Sequence, residues 1–314
     1  MQTGDYMQND AKIVYSVIVS WNGAQWIGGV LDSLRESVYP VGVVVVDNAS
    51  TDETVDIVSK AYPEVKLLQM EENIGFGKAN NKGIRYALLE GADYVLLLNQ
   101  DAKVESSMIG QLVNHLETNP DFGIISPLHL DYDGQGIDSG FLNYINSNVC
   151  LMSDFYFARL AQLYEIPFVP AAIWLLTRQL LEQVGGFDPL FFMYGEDVDL
   201  CNRARFHGFK IGLAPSALGY HWHRGSDDGQ GTVGKKSMKY YAQFVHSLKD
   251  PECTFFPNSI NKLLRWTWLS IGHLVFLNLR EFLAVGLALF KTGANFFRIR
   301  QHYNQSRLKG SSWL

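Results

Sequence analysis

The sequence predicts an α/β protein built on a doubly wound, mostly parallel sheet, followed by a C-terminal helical extension. Over residues 15–127, short apolar runs alternate with amphipathic segments, which is typical of repeated βα units. The chain has 314 residues, of which 47% are hydrophobic and 13% aromatic, so it can bury a large core. Residues 261–314 differ from the rest because they are basic, aromatic and rich in uncharged runs.

Strands and helices are predicted in alternation through the first half of the chain. The predicted strands are residues 15–20, 41–46, 65–69, 94–98 and 123–126. The predicted helices are residues 25–37, 52–61, 77–89 and 105–118. The second strand ends on Asp47, and Asp101 follows the fourth strand after two polar residues. Ligands gather at the carboxyl ends of strands in such sheets, so we expect one shared polar crevice there.

The pattern changes after Pro127. Residues 128–165 are polar and aperiodic, which is typical of a binding loop or lid. Regular secondary structure is predicted again from residue 168, with a strand over 168–176, a short helix to residue 184, a helix over 197–206 and a strand over 210–214. We therefore expect a domain over 1–260, with halves at about 13–127 and 128–260, and a separate tail at 261–314.

The charge of the chain is unevenly distributed. The net charge is −6, but residues 262–314 carry about +7 and the remainder about −13. An acidic body with a basic tail argues against nucleic-acid binding and favours contact with an anionic surface. Residues 266–279 and 282–290 are uncharged, but each run is shorter than the roughly 20 residues of a spanning helix. The tail is interpreted either as a peripheral, interfacial membrane segment or as helices packing on the domain or in a homodimer.

Cysteine content and the N-terminus bear on the compartment. The three cysteines are widely spaced and form no CxxC motif, so a reducing cytoplasm is expected. The first ten residues lack the basic and apolar regions of a secretion signal. We expect a cytoplasmic protein, at the inner face of the cell membrane if the tail binds lipid.

Polar residues near the strand ends are candidate ligand contacts. Asp47 can accept the imide N–H of uracil or thymine, although Asp47 and Asn48 also suit a helix N-cap. Residues 73–81 (NIGFGKANN) open a helix whose free N–H groups can bind an anion. This segment matches neither a dinucleotide-binding fingerprint nor a P-loop, and an ordinary capped turn is the alternative.

Asp101 is the candidate ligand for Mg²⁺ or Mn²⁺. One carboxylate holds a metal ion poorly, so a second ligand is expected. His221 and His223 follow a strand-like segment, where residues two apart share a face, and imidazole is an acceptable Mn²⁺ ligand.

Residues 195–200 (GEDVDL) place three acids at the start of a predicted helix. Such acids stabilise the helix dipole, which is the structural interpretation. In a cleft, a carboxylate at this position can also act as a general base on a hydroxyl group. Phe191, Phe192 and Tyr194 suit either an apolar floor under a sugar ring or the core.

Taken in order, these segments resemble the inverting glycosyltransferase family 2, which has the GT-A fold. The matching segments are residues 16–22 (SVIVSWN), 45–52 (VVDNASTD), 73–76 (NIGF), 79–80 (AN), 98–101 (LNQD), 185–188 (GGFD) and 195–200 (GEDVDL). The resemblance spans roughly residues 13–226, and the bacterial rhamnosyltransferases of surface-polysaccharide assembly are the most similar subgroup.

The resemblance implies a role for each matching residue. Asp197 would be the catalytic base, and Asp101 the metal ligand kept from the family's DxD motif, in which Asn99 replaces the first acid. His221 best matches the second metal-associated position, with His223 as the close alternative. The implied donor-site residues are Ser20, Asn22, Asp47, Asn48, Asn73, Gly75, Phe76, Asn80, Gln100 and His223. The implied acceptor-site residues are Trp174, Asp188 and Glu196.

The implied reaction is an inverting, metal-dependent sugar transfer that uses Mg²⁺ or Mn²⁺. The expected donor is a dTDP- or UDP-sugar, and the acceptor is a glycan or lipid-linked glycan of the cell surface. Transfer of L-rhamnose from dTDP-rhamnose is the primary prediction, and a galactofuranosyl- or hexosyltransferase using a UDP-sugar is the alternative. A sugar nucleotidyltransferase would need a basic phosphate loop, which residues 20–24 (SWNGA) do not provide. A non-catalytic scaffold at a membrane surface is the interpretation from a different class.

Overall fold

The computed structural model describes residues 12–222, 232–276, 278–310 and 312–314. Within these residues, a nine-stranded mixed sheet forms the centre of the molecule. The strands are β1 (Val14–Ser20), β2 (Val41–Asp47), β3 (Lys66–Gln69), β4 (Tyr94–Leu98), β5 (Ala102–Val104), β6 (Phe122–Asp131), β7 (Tyr164–Glu165), β8 (Ile173–Thr177) and β9 (Lys210–His221). The helices are α1 (Ile27–Arg35), α2 (Thr54–Ala61), α3 (Phe76–Leu89), α4 (Met108–Thr118), α5 (Ser139–Ile145), α6 (Val149–Tyr156), α7 (Arg178–Gln183), α8 (Glu196–Phe206), α9 (Val233–Leu248), α10 (Phe255–Val275), α11 (Leu279–Ala294) and α12 (Phe296–Ser306).

The strand order is β3-β2-β1-β4-β8-β6-β9-β5, with β7 paired to β9. β3, β2, β1 and β4 are mutually parallel, as are β6 and β9. β8 lies antiparallel between β4 and β6, so one sheet continues through both halves of the chain. The doubly wound, mostly parallel α/β fold predicted from the sequence is confirmed, and its second half is the mixed part.

Neighbouring residues of a strand point to opposite sides of a sheet, so this sheet has an apolar cluster on each face. Helices cover both faces. Val17 of β1 belongs to the apolar cluster on one face, and Ile18 belongs to the cluster on the other. The face that carries Ile18 is covered by α1, which buries Ile27, Val30, Leu31 and Leu34 at helical spacing. The face that carries Val17 is covered by α3 and α8. The sheet is therefore buried on both sides, and its carboxyl edge is available for a site.

Two connections at this carboxyl edge have unusual backbone geometry. Ser20 and Asp47 are paired at the ends of β1 and β2. Shortly after these strands, Asn22 and Ala49 adopt positive φ angles of 48° and 64°. Left-handed conformations at residues other than glycine cost free energy and are concentrated at functional sites. The backbone thus marks the same edge that the sequence predicted.

The region after residue 127 is more ordered than its composition predicted. It contains the end of β6 together with α5 and α6, and β9 continues to His221 rather than ending at residue 214. This extension of β9 has partners on both sides, since Leu218 to His221 pair with the end of β6 while Gly219 to His221 pair with β5. These pairings join segments far apart in sequence, so local periodicity could not predict them.

The C-terminal helices pack on the rest of the molecule through a third apolar cluster. This cluster joins α9, α10, α11 and α12 to Leu190 and Phe191. The boundary predicted at residue 261 falls inside α10, and α9 packs chiefly on α11. Among the described residues, no single helix is long and apolar enough to cross a membrane. α11 and α12 together pass that test but are bent by 70° where they meet.

Candidate functional site

A cavity of about 180 Å³ lies at the carboxyl edge of the sheet. Its polar lining consists of Asn48, Asn73, Asn99, Gln100 and Asp101. Its apolar lining consists of Val19, Trp21, Phe76 and Met193. Most of these residues belong to segments that the sequence singled out, and the fold brings them together from four connections. We refer to this space as the first cavity.

Two asparagines fix one wall of the first cavity. Asn48 Nδ2 donates to Asn73 Oδ1 over 3.0 Å, and Asn48 Oδ1 accepts from the Ile74 N–H over 2.9 Å. Gly75 follows with a φ of 88° and caps α3. A side chain at Gly75 would collide with the carbonyl oxygen of Phe192, so glycine is required here. The turn that opens α3 is therefore rigid and closely packed.

Gln100 links the ends of β1 and β4. Its Oε1 accepts hydrogen bonds from Ser20 Oγ (2.8 Å) and from the Trp21 N–H (3.0 Å). Asn22 Oδ1 accepts from the Thr51 N–H over 2.8 Å, which ties the same loop to the one after β2. Ser20 and Asn22 thus shape the loops around the first cavity but are absent from its lining.

Asp47 is a buried acid at the end of β2. Its side chain is only 3% exposed, and its Oδ2 accepts from the Ser50 N–H over 3.2 Å. Its Oδ1 is buried and accepts no hydrogen bond from the residues that the structure describes. A buried acceptor without a donor is unusual in a folded protein, so this oxygen is a candidate contact for a ligand N–H group.

Asp101, His221 and Asp138 lie in a row beside the first cavity. His221 Nε2 is 3.5 Å from Asp101 Oδ1, and His221 Nδ1 is 3.5 Å from Asp138 Oδ2. The pairing of Ala102 with His221 between β5 and β9 sets this proximity. Burial lowers the pKa of His221, but the hydrogen bonds that its ring donates to both carboxylates outweigh burial and raise the pKa to about 9.

The Asp101 carboxylate fits a divalent cation, and the His221 imidazole fits the same cation once the cation has displaced the proton that its two carboxylate partners favour. Carboxylate and imidazole both suit Mn²⁺, and Mg²⁺ commonly takes one or two protein ligands together with substrate phosphates. Across the described ranges, no group of three or more His, Cys, Asp or Glu side chains forms a complete metal site. A cation here would therefore need oxygens from the ligand as well.

A second cavity of about 230 Å³ lies at the start of α8. Its lining includes Tyr144, Phe168, Tyr194, Glu196 and Asp197 together with Lys239, Gln243 and His246 from α9. Met193 lines the first cavity whereas Tyr194, the next residue, lines the second. Tyr194 and Gly195 have positive φ angles of 70° and 84°, which turn the chain sharply at this point. This short loop is the partition between the two cavities.

Two adjacent carboxyl groups face the second cavity at the N-terminus of α8. Burial, followed by the charge of Asp197, raises the pKa of Glu196 to about 8. Burial also raises the pKa of Asp197, although backbone N–H groups, including that of Val198 at 2.8 Å, oppose the rise. Both carboxyl groups thus bind a proton more tightly than usual, which is characteristic of general acids and bases.

The structure places three of the predicted site residues away from the cavities. The expectation that Asp188 contacts an acceptor is corrected, because this side chain is fully buried and bonded to Lys249 and His302. Trp174 is also fully buried and stacks on Phe187 in the core. Asn80 is 2% exposed and donates to the Phe76 carbonyl within α3.

The structure describes two further segments only in part. His223, predicted as a donor contact or alternative metal ligand, lies outside the described residues. Residues 225–236, which contain four glycines, are described only from Thr232, which caps α9.

Sequence reasoning did not identify several residues that shape the site. Asp138 caps α5 by accepting from the Phe141 N–H over 2.6 Å, so its place in the sequence is that of an ordinary helix cap. Asn81 holds the Phe187 backbone through two hydrogen bonds of 2.7 and 2.8 Å. The part of α9 that lines the second cavity contains no recognisable sequence motif. For Asp138, its position just before the apolar residues of α5 predicts a helix cap but gives no indication of its contact with the distant His221.

Comparison with known proteins places this chain in a family. The model of Glycosyl transferase family 2 matches residues 16–185. An N-acetylglucosaminyl-diphospho-decaprenol L-rhamnosyltransferase of Mycobacterium tuberculosis is 29% identical over 228 residues, covering 66% of this chain and 74% of the relative. A dTDP-rhamnosyl transferase of Shigella flexneri is 25% identical over 232 residues, covering 72% of this chain and 71% of the relative.

Solved structures show the same fold at low sequence identity. S. aureus TarS 1-349 in complex with UDP has a TM-score of 0.54 and 17% identity, covering 78% of this chain and 68% of that one. The mannosyltransferase PcManGT from Pyrobaculum calidifontis, in complex with GDP-Man and Mn²⁺, has a TM-score of 0.54 and 19% identity. Here the match covers 89% of this chain and 86% of the other. These neighbours are GT-A glycosyltransferases, and this chain shares their fold.

Proposed function

Because this chain belongs to glycosyl transferase family 2, we propose that it moves L-rhamnose from dTDP-rhamnose to a hydroxyl group of a glycan or lipid-linked glycan. The chain is a glycosyltransferase by its family, and the identity of the sugar is the proposed part. Two of its relatives are rhamnosyltransferases, one of which is named for a diphospho-decaprenol acceptor. The observation that carries the mechanism is the pair of cavities on either side of Met193 and Tyr194.

In this proposal the first cavity holds the nucleotide-sugar donor. Asp47 Oδ1, buried and without a described donor, would accept the imide N–H of the thymine ring. Asn48 and Asn73 would form the wall beside the nucleotide, with Phe76 as an apolar contact. Ser20, Asn22, Gly75 and Gln100 would act by holding the loops in place. Asn80 is withdrawn as a direct contact because α3 buries it.

The second cavity holds the acceptor, and Asp197 is its base. Asp197 would take the proton of the acceptor hydroxyl while that oxygen forms a bond to the anomeric carbon. The bond from that carbon to the diphosphate oxygen breaks on the opposite face, so one displacement inverts the configuration. Glu196, protonated at neutral pH because burial raises its pKa to about 8, would donate a hydrogen bond to the acceptor.

Asp101 and His221 would hold Mg²⁺ or Mn²⁺ jointly with the donor diphosphate. When bound, the cation neutralises charge on the diphosphate leaving group. The N-terminus of α3 contributes further backbone N–H groups at the same edge. We place the reaction in the cytoplasm, at the inner face of the cell membrane, which agrees with a lipid-linked acceptor.

The test is a panel of nucleotide sugars incubated with the purified chain, with and without Mn²⁺ or Mg²⁺, with release of nucleoside diphosphate as the readout. We expect metal-dependent release from dTDP-rhamnose. Release from a UDP-sugar instead would keep the mechanism and replace rhamnose by a hexose or galactofuranose, as the relationship to a Haloferax volcanii hexosyltransferase allows. If no donor is hydrolysed and no nucleotide binds, the non-catalytic scaffold is the correct interpretation.

A further inference from the structure

The outward side of α10 is apolar. Its exposed side chains recur every three or four residues and therefore share one face of the helix: Ile260, Leu264, Trp268, Ile271 and Val275. The side chains that α10 buries, which include Trp266 and Ser270, lie on the opposite face. A helix at the surface of a water-soluble protein normally has the reverse arrangement, with polar residues outward.

α11 repeats this arrangement. Its exposed apolar residues share one face, namely Leu279, Leu283, Leu287 and Phe290. Its buried residues, Ala284, Val285 and Ala288, face the other way, and Val285 and Ala288 belong to the third apolar cluster. α10 and α11 are consecutive and pack against each other, so these nine side chains form neighbouring parts of the surface. We call them the α10–α11 apolar face.

The charges around this face are positive. Exposed basic side chains on α10, α11 and α12 are Arg265, Arg280, Lys291, Arg298 and Arg300. Residues 262–314 contain one acid, Glu281, and its carboxylate is bonded to Lys236 and Tyr240. An apolar face on helices whose exposed charged side chains are basic is complementary to an anionic lipid surface.

The same charges argue against a second copy of this chain as the partner. A symmetric dimer through this face would bring together two C-terminal segments, residues 262–314, whose net charges are about +7 each, and like charges repel. We therefore propose that the α10–α11 apolar face docks on an anionic lipid bilayer. Apolar side chains enter the interface, and the basic residues contact the headgroups.

Docking at this face also orients the acceptor cavity, through α9. One side of α9 lines the second cavity with Lys239, Gln243 and His246. Elsewhere on α9, Lys236 and Tyr240 bind Glu281 of α11. α9 thus connects the acceptor cavity to the docking helices, which would present the cavity to a lipid-linked acceptor held in the same membrane. This orienting role rests on the proposed function, whereas lipid binding itself does not.

Co-sedimentation of the full chain with vesicles tests the docking. We expect binding to vesicles of phosphatidylcholine mixed with phosphatidylglycerol, weakening with salt, and much weaker binding to phosphatidylcholine alone. The double variant Trp268→Glu/Phe290→Glu should lower the apparent affinity more than roughly tenfold. The matched control is Leu89→Glu/Val149→Glu, since those side chains are 77% and 79% exposed against 71% and 78% for Trp268 and Phe290. The control should bind as the wild type does.

Three results would overturn the docking proposal. The wild type could stay in the supernatant with anionic vesicles, or both double variants could bind equally well. Sedimentation equilibrium could also reveal a dimer that Trp268→Glu/Phe290→Glu dissociates and the control does not, in which case a second copy covers the face. Donor hydrolysis in solution separates this proposal from the proposed function. Vesicle binding with neither hydrolysis of any donor nor binding of any nucleotide would remove the function and keep the docking.

Discussion

At the scale of single residues, the adjacent carboxyl groups of Glu196 and Asp197 differ because their surroundings differ. Glu196 Oε2 is buried and accepts no hydrogen bond from the described part of the chain, whereas Asp197 Oδ1 accepts from a backbone N–H at the start of α8. Burial and the charge of Asp197 disfavour the charged form of Glu196, whereas several backbone N–H groups favour that of Asp197, so the first proton to leave the pair comes from Asp197. In the proposed mechanism Asp197 is therefore the base and Glu196 the hydrogen-bond donor.

The raised pKa of Asp197 predicts the pH dependence of transfer. The base works only when deprotonated, so kcat/KM should fall as pH drops through a value above the usual range for Asp. A pH–rate profile on soluble acceptor measures this. In Glu196→Gln the acid limb should persist, while any change of rate near pH 8 should disappear. A limb at or below the ordinary pKa of Asp would contradict the assignment.

Asp138 is expected to position His221 for metal binding. Its carboxylate lies 3.5 Å from His221 Nδ1, which leaves Nε2 directed at Asp101. Partners of this kind typically change metal affinity by about 10- to 100-fold. We expect Asp138→Asn to weaken Mn²⁺ binding by roughly tenfold in the presence of nucleoside diphosphate, measured by electron paramagnetic resonance of free Mn²⁺.

The control for this prediction is Asp133→Asn, an exposed acid in the turn that follows β6. It should bind Mn²⁺ as the wild type does. If Asp138→Asn also leaves Mn²⁺ affinity unchanged, Asp138 acts only as the cap of α5.

Predictability differed among the residues of the site. Asp101 and His221 could be proposed because each follows a recognisable strand, and β5 pairs with β9 so that they meet. Asp188 could not be assigned correctly, because a GGFD segment does not reveal that Lys249, 61 residues later, will bury its carboxylate. A pairing at that distance depends on how α9 packs.

At the scale of elements, a buried ionic network fixes α8 to the C-terminal helices. Lys249 donates to Asp188 and to Asp199 Oδ1 (2.6 Å), and Arg203 donates to Asp199 Oδ2 over 2.8 Å. His302 of α12 lies 2.7 Å from Asp188. Burial raises the pKa of Asp188, but Lys249 and His302 outweigh it and hold the pKa below its usual range. The network therefore joins α8, which carries Asp197, to the end of α9 and to α12.

Breaking this network should destabilise the whole fold. Lys249→Met removes the cation that the buried carboxylates of Asp188 and Asp199 share, and breaking a buried ion pair in this way typically costs about 3–5 kcal/mol. The matched control is Lys60→Met, whose ion pair with Asp56 is exposed to solvent and therefore contributes little to stability. Denaturant unfolding of both variants gives the comparison. Equal stabilities would show that the network is not a structural anchor.

Elements with local signals were predicted well, and those held by distant contacts were not. The βα units of the first half bury regular apolar faces, so periodicity located them within a few residues. β8 could not be placed, because its antiparallel position between β4 and β6 is set by partners that are distant in sequence. The inward side of α9 was missed for the same reason.

At the scale of the whole molecule, one continuous sheet carries the first cavity, and α9 closes the second. The first cavity depends on the loops after β1, β2, β3 and β4, and the second needs α5, α8 and α9. The Phe192 carbonyl, just before the partition at Met193 and Tyr194, accepts from the Phe76 N–H over 3.0 Å, which ties the partition to the start of α3. The tail predicted over residues 261–314 packs on α9 through α11, and α9 in turn lines the second cavity.

The most direct test of this account compares Asp197→Asn with the wild type, measuring sugar transfer and donor binding together. Transfer should fall roughly 10²- to 10⁴-fold, because the acceptor hydroxyl loses its general base. Donor affinity should be unchanged, because the proposal places the donor in the first cavity, which Asp197 does not line. Glu196→Gln, which copies the neutral form of Glu196, should lose far less activity. An Asp197→Asn variant that still transfers sugar at the wild-type rate would contradict the account.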